Sequence, residues 1–435
     1  MPKGTRVTDK ILPRIGFISP IWLPRFGGAE QYVHGMAVEL IERGFDVRVF
    51  TMTAEKHAHD NGKVTAKRLT GFGEFDFLSL FWGRPVKDRG IGNLVGHYGF
   101  MDAAVKWVEE NEIDVCILDN GLQQLEYLHT RELHSVLRAM GVKRGLLHYD
   151  LAPSIDKVLL NNYLNSSLSW TQVGRMLKEQ LKAFADTRTG FEAAYMIGSP
   201  LVFDPDFVIS CSRWSESFID PLDRVPKIAV HPLINASHWG FRLAAGDKLP
   251  QCSALMINPQ DRKGPDLMAE LIAEASPAWT FRLLKGGWGD SFLKFKPRIL
   301  DTKAVREGRV DFRDYLVDMR QAYQSTDVLF FPSLREGYGM TPVEAMYGGT
   351  PVVSGNYPAI IEAVGDGALT LCPYKDDSVR WKRAVADVLS ERAAWSAKAL
   401  THAKQLAARQ EGEILELCAF LSDVARDSRT SRQQL

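Results

Sequence analysis

Pro332-Ser333-Leu334-Arg335-Glu336-Gly337-Tyr338-Gly339-Met340-Thr341-Pro342-Val343-Glu344-Ala345-Met346 is the stretch from which the rest of the chain can be read. It follows 327–331, a run that is apolar after its first residue, as in a strand buried on both faces. Gly337 and Gly339 then permit a tight turn in which backbone amides approach a ligand. Thr341 reads as a helix cap, Pro342 as the first helical position and Glu344 as the acid three residues after the cap. Gly348-Gly349 ends that helix, and 350–354 supplies the next strand. Such a strand, glycine turn and helix start form an anion site, because amide N–H groups and the helix dipole point into one space.

Two glutamates flank this space with seven residues between them, Glu336 in the loop and Glu344 in the first helical turn. Carboxylates repel phosphate but accept strong hydrogen bonds from sugar hydroxyls. The plainer alternative is that Glu344 completes a capping box with Thr341 and Glu336 is a solvated loop residue. The pair, with glycines between, favours a site.

The segment resembles the Glu-x7-Glu signature of retaining glycosyltransferases of the family-4 type. The resemblance implies the GT-B fold: α/β, with two Rossmann-like domains facing across a cleft and a C-terminal helix crossing back to the first domain. It places Glu336 on the donor sugar, Glu344 on the ribose of the nucleotide, and the backbone of Gly339, Met340 and Thr341 on the diphosphate. It extends over nearly the whole chain in layout but is specific only around 327–354.

At 435 residues the chain is long for one core and suits two domains. Lys plus Arg equals Asp plus Glu at 53 each, so no overall field draws it to nucleic acid. Five cysteines, at 116, 211, 252, 372 and 418, lack metal-like spacing and read as reduced core residues of a cytoplasmic protein. The N-terminus has no apolar core of signal-peptide length, no run approaches membrane-spanning length, and the tail after Asp427 is polar and expected to fray.

In chain order, a strand at 15–19 leads through Gly27-Gly28-Ala29-Glu30 into a helix that Gly44 stops, and 46–51 completes a β-α-β unit. The paired glycines resemble the family's Gly-Gly-x-Glu entry, which implies close passage to the donor diphosphate; a turn needed only for packing is the other reading. Aromatics Phe72, Phe75, Phe77, Phe81 and Trp82 are either an acceptor- or membrane-facing patch or core under a long loop. A strand at 144–147 delivers His148-Tyr149-Asp150 past its carboxyl end, where open α/β sheets place ligands. His148 is either a structural histidine or, as the resemblance implies, the group at the reactive side of the donor sugar.

Residues 154–195 carry an apolar stripe (Trp170, Val173, Leu177, Leu181, Phe184) beside basic residues, a pattern suited to peripheral membrane contact or to packing on its own domain. Where relatives read Pro-Asn-Gly, this chain has His231-Pro232-Leu233-Ile234-Asn235. The expected division is 1–240 for an acceptor-side domain, 251–405 for a nucleotide-sugar domain and 406–435 for the returning helix, with a linker at 237–250. After the strand 253–257, Lys263 fits the family's lysine and Asn258 stands at its arginine position, with Arg262 as a substitute; both cations suit a diphosphate. Lys285-Gly286-Gly287-Trp288-Gly289 is a weaker glycine loop, and Arg313 and Tyr315 are implied to lie beside the nucleobase.

The function this implies is transfer of a sugar from a nucleoside-diphosphate donor to a hydroxyl acceptor with retention of configuration. The reaction is read as needing no cofactor and no metal, since no Asp-x-Asp stands where it would organise Mg²⁺ between phosphates. The alternatives are a nucleotide-sugar 2-epimerase of the same fold and a non-catalytic partner subunit that keeps the cleft. Neither donor base nor acceptor is legible.

Overall fold

Near-continuous apolar runs form strands that helices can cover on both faces: Val115–Asp119 and Val328–Phe331 are buried at every position. The computed structural model of the chain describes residues 12–19, 28–51, 65–68, 91–119, 127–149, 204–219, 225–234, 252–286, 291–314, 316, 319–373 and 375–432. The first sheet holds β1 (Arg14–Ile18), β2 (Asp46–Thr51), β3 (Thr65–Arg68), β4 (Val115–Asp119), β5 (Lys143–His148), β6 (Phe207–Ser210) and β7 (Lys227–Ala229). Their order is β3-β2-β1-β4-β5-β6-β7, every pair parallel. Helices α1 (Gly28–Glu42), α2 (Ile91–Glu110), α3 (Tyr127–Ala139) and α4 (Arg213–Ile219) connect them.

The second sheet repeats the scheme with β8 (Cys252–Ile257), β9 (Trp279–Leu284), β10 (Val310–Arg313), β11 (Val328–Phe331), β12 (Val352–Gly355) and β13 (Leu369–Leu371), in the order β10-β9-β8-β11-β12-β13. Its helices are α5 (Pro265–Glu274), α6 (Ser291–Ile299), α7 (Lys303–Arg306), α8 (Arg320–Gln324), α9 (Met340–Tyr347), α10 (Pro358–Val364), α11 (Ser378–Ser390) and α12 (Arg392–Arg432). In both sheets the order reverses between the first and fourth strands, so each has a crevice at the carboxyl ends of β1/β4 and β8/β11.

Two elements differ from the sequence reading. The pattern that leads back to the signature strand reads as a helix over 316–325, whereas α8 is Arg320–Gln324. Apolar residues at 414, 417, 418 and 421 read as a last helix over 413–425, but α12 runs unbroken from Arg392, through Gly412, to Arg432, and so also spans much of the tail expected to fray. Glycine costs a helix about 1 kcal/mol relative to alanine, which burial of Ile414, Leu417 and Leu421 readily offsets. Ser396, early in α12, donates to the Gly349 carbonyl at 2.6 Å. Further on, Glu411 meets Arg43 at 2.7 Å and Phe420 packs edge-on against Phe207 at 5.5 Å, so the helix returns to the first domain. The aromatic patch at 72–82, the segment 154–195 and the linker 237–250 lie outside the described residues. Among the described residues no helix is long and apolar enough to cross a membrane.

A buried charge cluster joins the two domains. His231, just after β7, meets Glu362 of α10 through Nε2 at 2.5 Å and Glu413 of α12 through Nδ1 at 2.6 Å. Its own amide also donates to Glu413, at 3.0 Å. Glu362 further accepts from the Arg213 and Trp214 amides at 2.8 and 3.0 Å. Two carboxylate acceptors require two N–H donors, so the ring is an imidazolium. Burial pulls the His231 pKa down, but the hydrogen bonds to Glu362 and Glu413 outweigh it and leave it above the ordinary value. Burial likewise raises Glu362 and Glu413, and His231 more than reverses this, holding both below the usual carboxylate range.

The imidazolium's contribution is complete below its unfolded value of 6.5 and is lost as pH rises through the higher folded value. The carboxylates' contribution is complete above 4.5 and lost as pH falls through their lowered values. The junction is therefore strongest between these limits. Removing the ring leaves two buried carboxylates face to face, so His231→Gln is expected to lower stability at pH 6 by on the order of 3 kcal/mol. Urea denaturation from pH 6 upward checks this: the wild-type advantage shrinks with rising pH, and a constant gap would refute the imidazolium assignment.

Candidate active site

The crevice of the second sheet is framed by the loops that follow β8 and β11. The first runs through a 3₁₀ turn, Asp261–Lys263, to Gly264, which has φ 71° and begins α5. A side chain on Gly264 would put its Cβ 2.2 Å from the Pro332 carbonyl oxygen, so only glycine lets the loops meet there. The Leu334 amide donates to the Arg262 carbonyl at 2.9 Å and closes the seam. Across it, Lys263 Nζ is paired with Glu336 Oε1, and Ser333 Oγ donates to the same oxygen at 2.6 Å. Lys263 also lies over the Phe331 ring, 5.2 Å from its centre.

Helix α9 starts two residues earlier than the sequence pattern suggests. Its cap is Gly339 at φ 111°, with no side-chain cap bond, and Thr341 and Pro342 fall inside the first turn. The capping box of Thr341 with Glu344 is therefore absent. A glycine cap leaves the leading amides, Met340 and Thr341, without intrahelical acceptors and covers them with no side chain of its own. Glu344 is 8% exposed and accepts the Tyr323 hydroxyl on Oε2 at 2.8 Å. Burial raises its pKa to about 7, against the lowering effect of the Tyr323 hydrogen bond. It sits deeper than a residue at the mouth of the turn, with Oε1 left for a second donor.

The first domain closes over this helix. A Cβ on Gly28, the first residue of α1, would stand 3.3 Å from Met340 Sδ. Gly337 presses so closely on the end of β5 that a Cβ there would lie 2.0 Å from the Tyr149 carbonyl oxygen. His148, the last residue of β5, is 3% exposed. The fold thus gathers Gly28, Lys263, Glu336, Gly339, Met340, Thr341 and Glu344 around one crevice and brings the backbone beside His148 to its rim. Arg262 is exposed on the 3₁₀ turn. Arg313, at the end of the edge strand β10, is 61% exposed and paired with Asp311 at 2.8 Å. Gly27, Tyr315 and 287–289 lie outside the described residues.

Several polar groups at the same strand ends were not placed in the site by sequence, Asn258 having been noted only as the residue at the family's arginine position. Asn258 Oδ1, Ser354 Oγ and Asn356 Oδ1, following or ending β8 and β12, are buried without a hydrogen-bond partner among the described residues. Asn258 also holds a left-handed φ of 55°. Orphaned buried polar atoms and strained backbone concentrate where ligands bind. Ser333, three residues before Glu336, could have been found from that spacing; the others depend on strand order. The chain does contain one Asp-x-Asp, Asp204-Pro205-Asp206, but it precedes β6 at the far end of the first sheet. There Asp206 pairs with Arg144 at 2.9 Å and Asp204 with Arg138 at 2.5 Å.

Residues 253–391, which hold both loops, match the family model for glycosyl transferases group 1. Over 405 residues the chain is 28% identical to a D-inositol 3-phosphate glycosyltransferase of Mycolicibacterium vanbaalenii, covering 87% of this chain and 81% of that protein. A shorter match, 34% over 71 residues, covers 16% of this chain and 20% of the O-antigen chain mannosyltransferase RfbU of Salmonella typhimurium. The chain thus spans well under two thirds of that relative's length, and also of a Saccharomonospora viridis D-inositol 3-phosphate glycosyltransferase, 30% identical over 40% of this chain and 39% of that one. Among solved structures, sucrose-phosphate synthase from Thermosynechococcus elongatus aligns with a TM-score of 0.66 at 15% identity, over 95% of this chain and 99% of that one. Anabaena HepE in complex with UDP and glucose aligns at 0.59 and 16%, over 93% and 99%. These alignments identify the paired α/β domains as the GT-B fold. In sequence, the second domain is similar to the group 1 glycosyltransferases over residues 253–391, and the whole chain is built on the GT-B fold.

Proposed function

We propose that this chain moves a sugar from a nucleoside diphosphate to a hydroxyl acceptor, with retention of anomeric configuration and without a metal ion. The observation that carries the reading is the Lys263–Glu336 pair at the mouth of the glycine-capped helix α9. A diphosphate over the Gly339, Met340 and Thr341 amides would draw Lys263 Nζ and the Arg262 guanidinium toward it. Glu336, released from the lysine but still held by Ser333, then accepts from hydroxyls of the donor sugar. Glu344 Oε1 accepts from the ribose. Arg313 is assigned to the side of the base, and Gly28, at the start of α1, and His148, at the end of β5, to the first domain's side of the complex.

In the transfer, the bond from the anomeric carbon to the leaving phosphate oxygen breaks as the acceptor oxygen attacks on the same face. The acceptor's proton passes to the departing phosphate. Charge developing on that phosphate is stabilised by Lys263, Arg262 and amides already oriented in the folded protein, which need no rearrangement at the moment of reaction.

A thermal-shift screen with UDP-, GDP-, dTDP- and ADP-sugars is expected to single out one base, since a ligand of the folded state raises its stability by mass action. Calorimetry with that nucleotide separates the acids. Glu336→Ala should lose most transfer while nucleotide affinity stays within about twofold, and Glu344→Ala should weaken the nucleotide by about tenfold or more, the loss of a charged hydrogen bond. The reverse ordering would overturn the assignment. Because ribose hydroxyls favour the ionised Glu344, affinity should rise as pH is raised through about 7. Below that pH, binding should release a proton, read from titrations in buffers of unequal ionisation enthalpy.

A further inference from the structure

We infer that Ser212, on the first domain, is a positioning residue for Glu336 on the second, acting through the carbonyl of Gly337. The inference rests on the sugar-gripping role proposed for Glu336. Ser212 is fully buried and stands at the cap of α4. Its hydroxyl oxygen accepts the Ser215 amide at 3.0 Å, as a helix cap does. The Ser215 hydroxyl in turn donates to the Ser212 carbonyl at 2.9 Å. The Ser212 hydroxyl proton is then directed across the domain boundary to the Gly337 carbonyl, 2.7 Å away. Cys211 Sγ adds a weaker contact to the same carbonyl at 3.3 Å.

Glu336 is thereby fixed on two sides. Lys263 and Ser333 hold its carboxylate from within the second domain. One residue along the backbone, Ser212 and Cys211 hold the Gly337 carbonyl, while the Tyr149 carbonyl leaves no room for a side chain. Both outer holds belong to the first domain, so they exist only while the domains are together. When the domains part, the peptide that follows Glu336 loses its anchor, and the grip on the sugar loosens while the amides heading α9, carried by a helix of the second domain, keep theirs. The first domain in this way controls the geometry of a residue on the donor side.

The test compares the full-length protein with Ser212→Gly, which removes the hydroxyl yet remains an acceptable helix cap, and Ser212→Thr, which keeps the hydroxyl. By hydrogen exchange, amides of 334–340 should open about fivefold faster in Ser212→Gly, the equivalent of one lost hydrogen bond. Strand β8 should be unchanged and Ser212→Thr close to wild type. With UDP-, GDP-, dTDP- and ADP-glucose as donor probes, turnover should fall by a similar factor while nucleotide affinity stays within about twofold. Unaltered exchange at 334–340 in Ser212→Gly overturns the inference, as does an equal loss of nucleotide affinity and turnover. If none of the four probes binds the wild-type protein, the proposed function fails, and hydrogen exchange alone decides the role of Ser212.

Discussion

A carboxylate taken out of water must be given donors, and among the described residues Glu362 receives its donors from the other domain: the His231 ring and the amides of Arg213 and Trp214. Much of the cleft geometry depends on that requirement. The two amides begin the short helix whose cap is Ser212, and His231 also lies 5.0 Å from the Tyr338 ring, inside the loop between the two glutamates. One acid on α10 therefore fixes the tilt of α4 against the second domain, and with it the contact on Gly337. The domain junction and the loop between the two glutamates are parts of one polar network rather than neighbours by accident.

The network lies beside a site whose charges are balanced before any ligand arrives. Lys263 and Glu336 neutralise each other, and Glu344, with a pKa near 7, hovers between forms. A diphosphate sugar would supply a partner for each at once, anion for the lysine and hydroxyls for the acids. Such an exchange of partners limits the desolvation penalty that would attend burying any of these groups alone.

The strand-turn-helix-strand unit around 327–354 was legible because each local signal, apolar run, paired glycines and proline, agrees with the fold. The helix cap was not: Thr341-Pro342 fits the cap pattern as well as Gly339 does, and only the positive φ of Gly339 decides between them. Burial of Glu344 depends on Tyr323, on a different helix, and periodicity carries no trace of it. His231 showed only as a departure from the family's pattern, since its partners lie 131 and 182 residues further along the chain. The sequence pattern marks the last helix only over 413–425, whereas the helix is continuous from Arg392 because packing outweighs the intrinsic cost of Gly412.

That continuous helix affects how the protein is made. Phe420 closes over Phe207, and Leu417 and Leu421 sit in the same apolar core as Ile15, Val49 and Phe207. The ribosome therefore finishes β1 to β7, at Ala229, almost two hundred residues of synthesis before the side chains that seal their outer face, Leu417 to Leu421, exist. During that interval the nascent first domain presents an uncovered apolar surface, the kind of exposure that recruits chaperones and invites aggregation. Its final packing waits for the last turns of α12 to leave the exit tunnel.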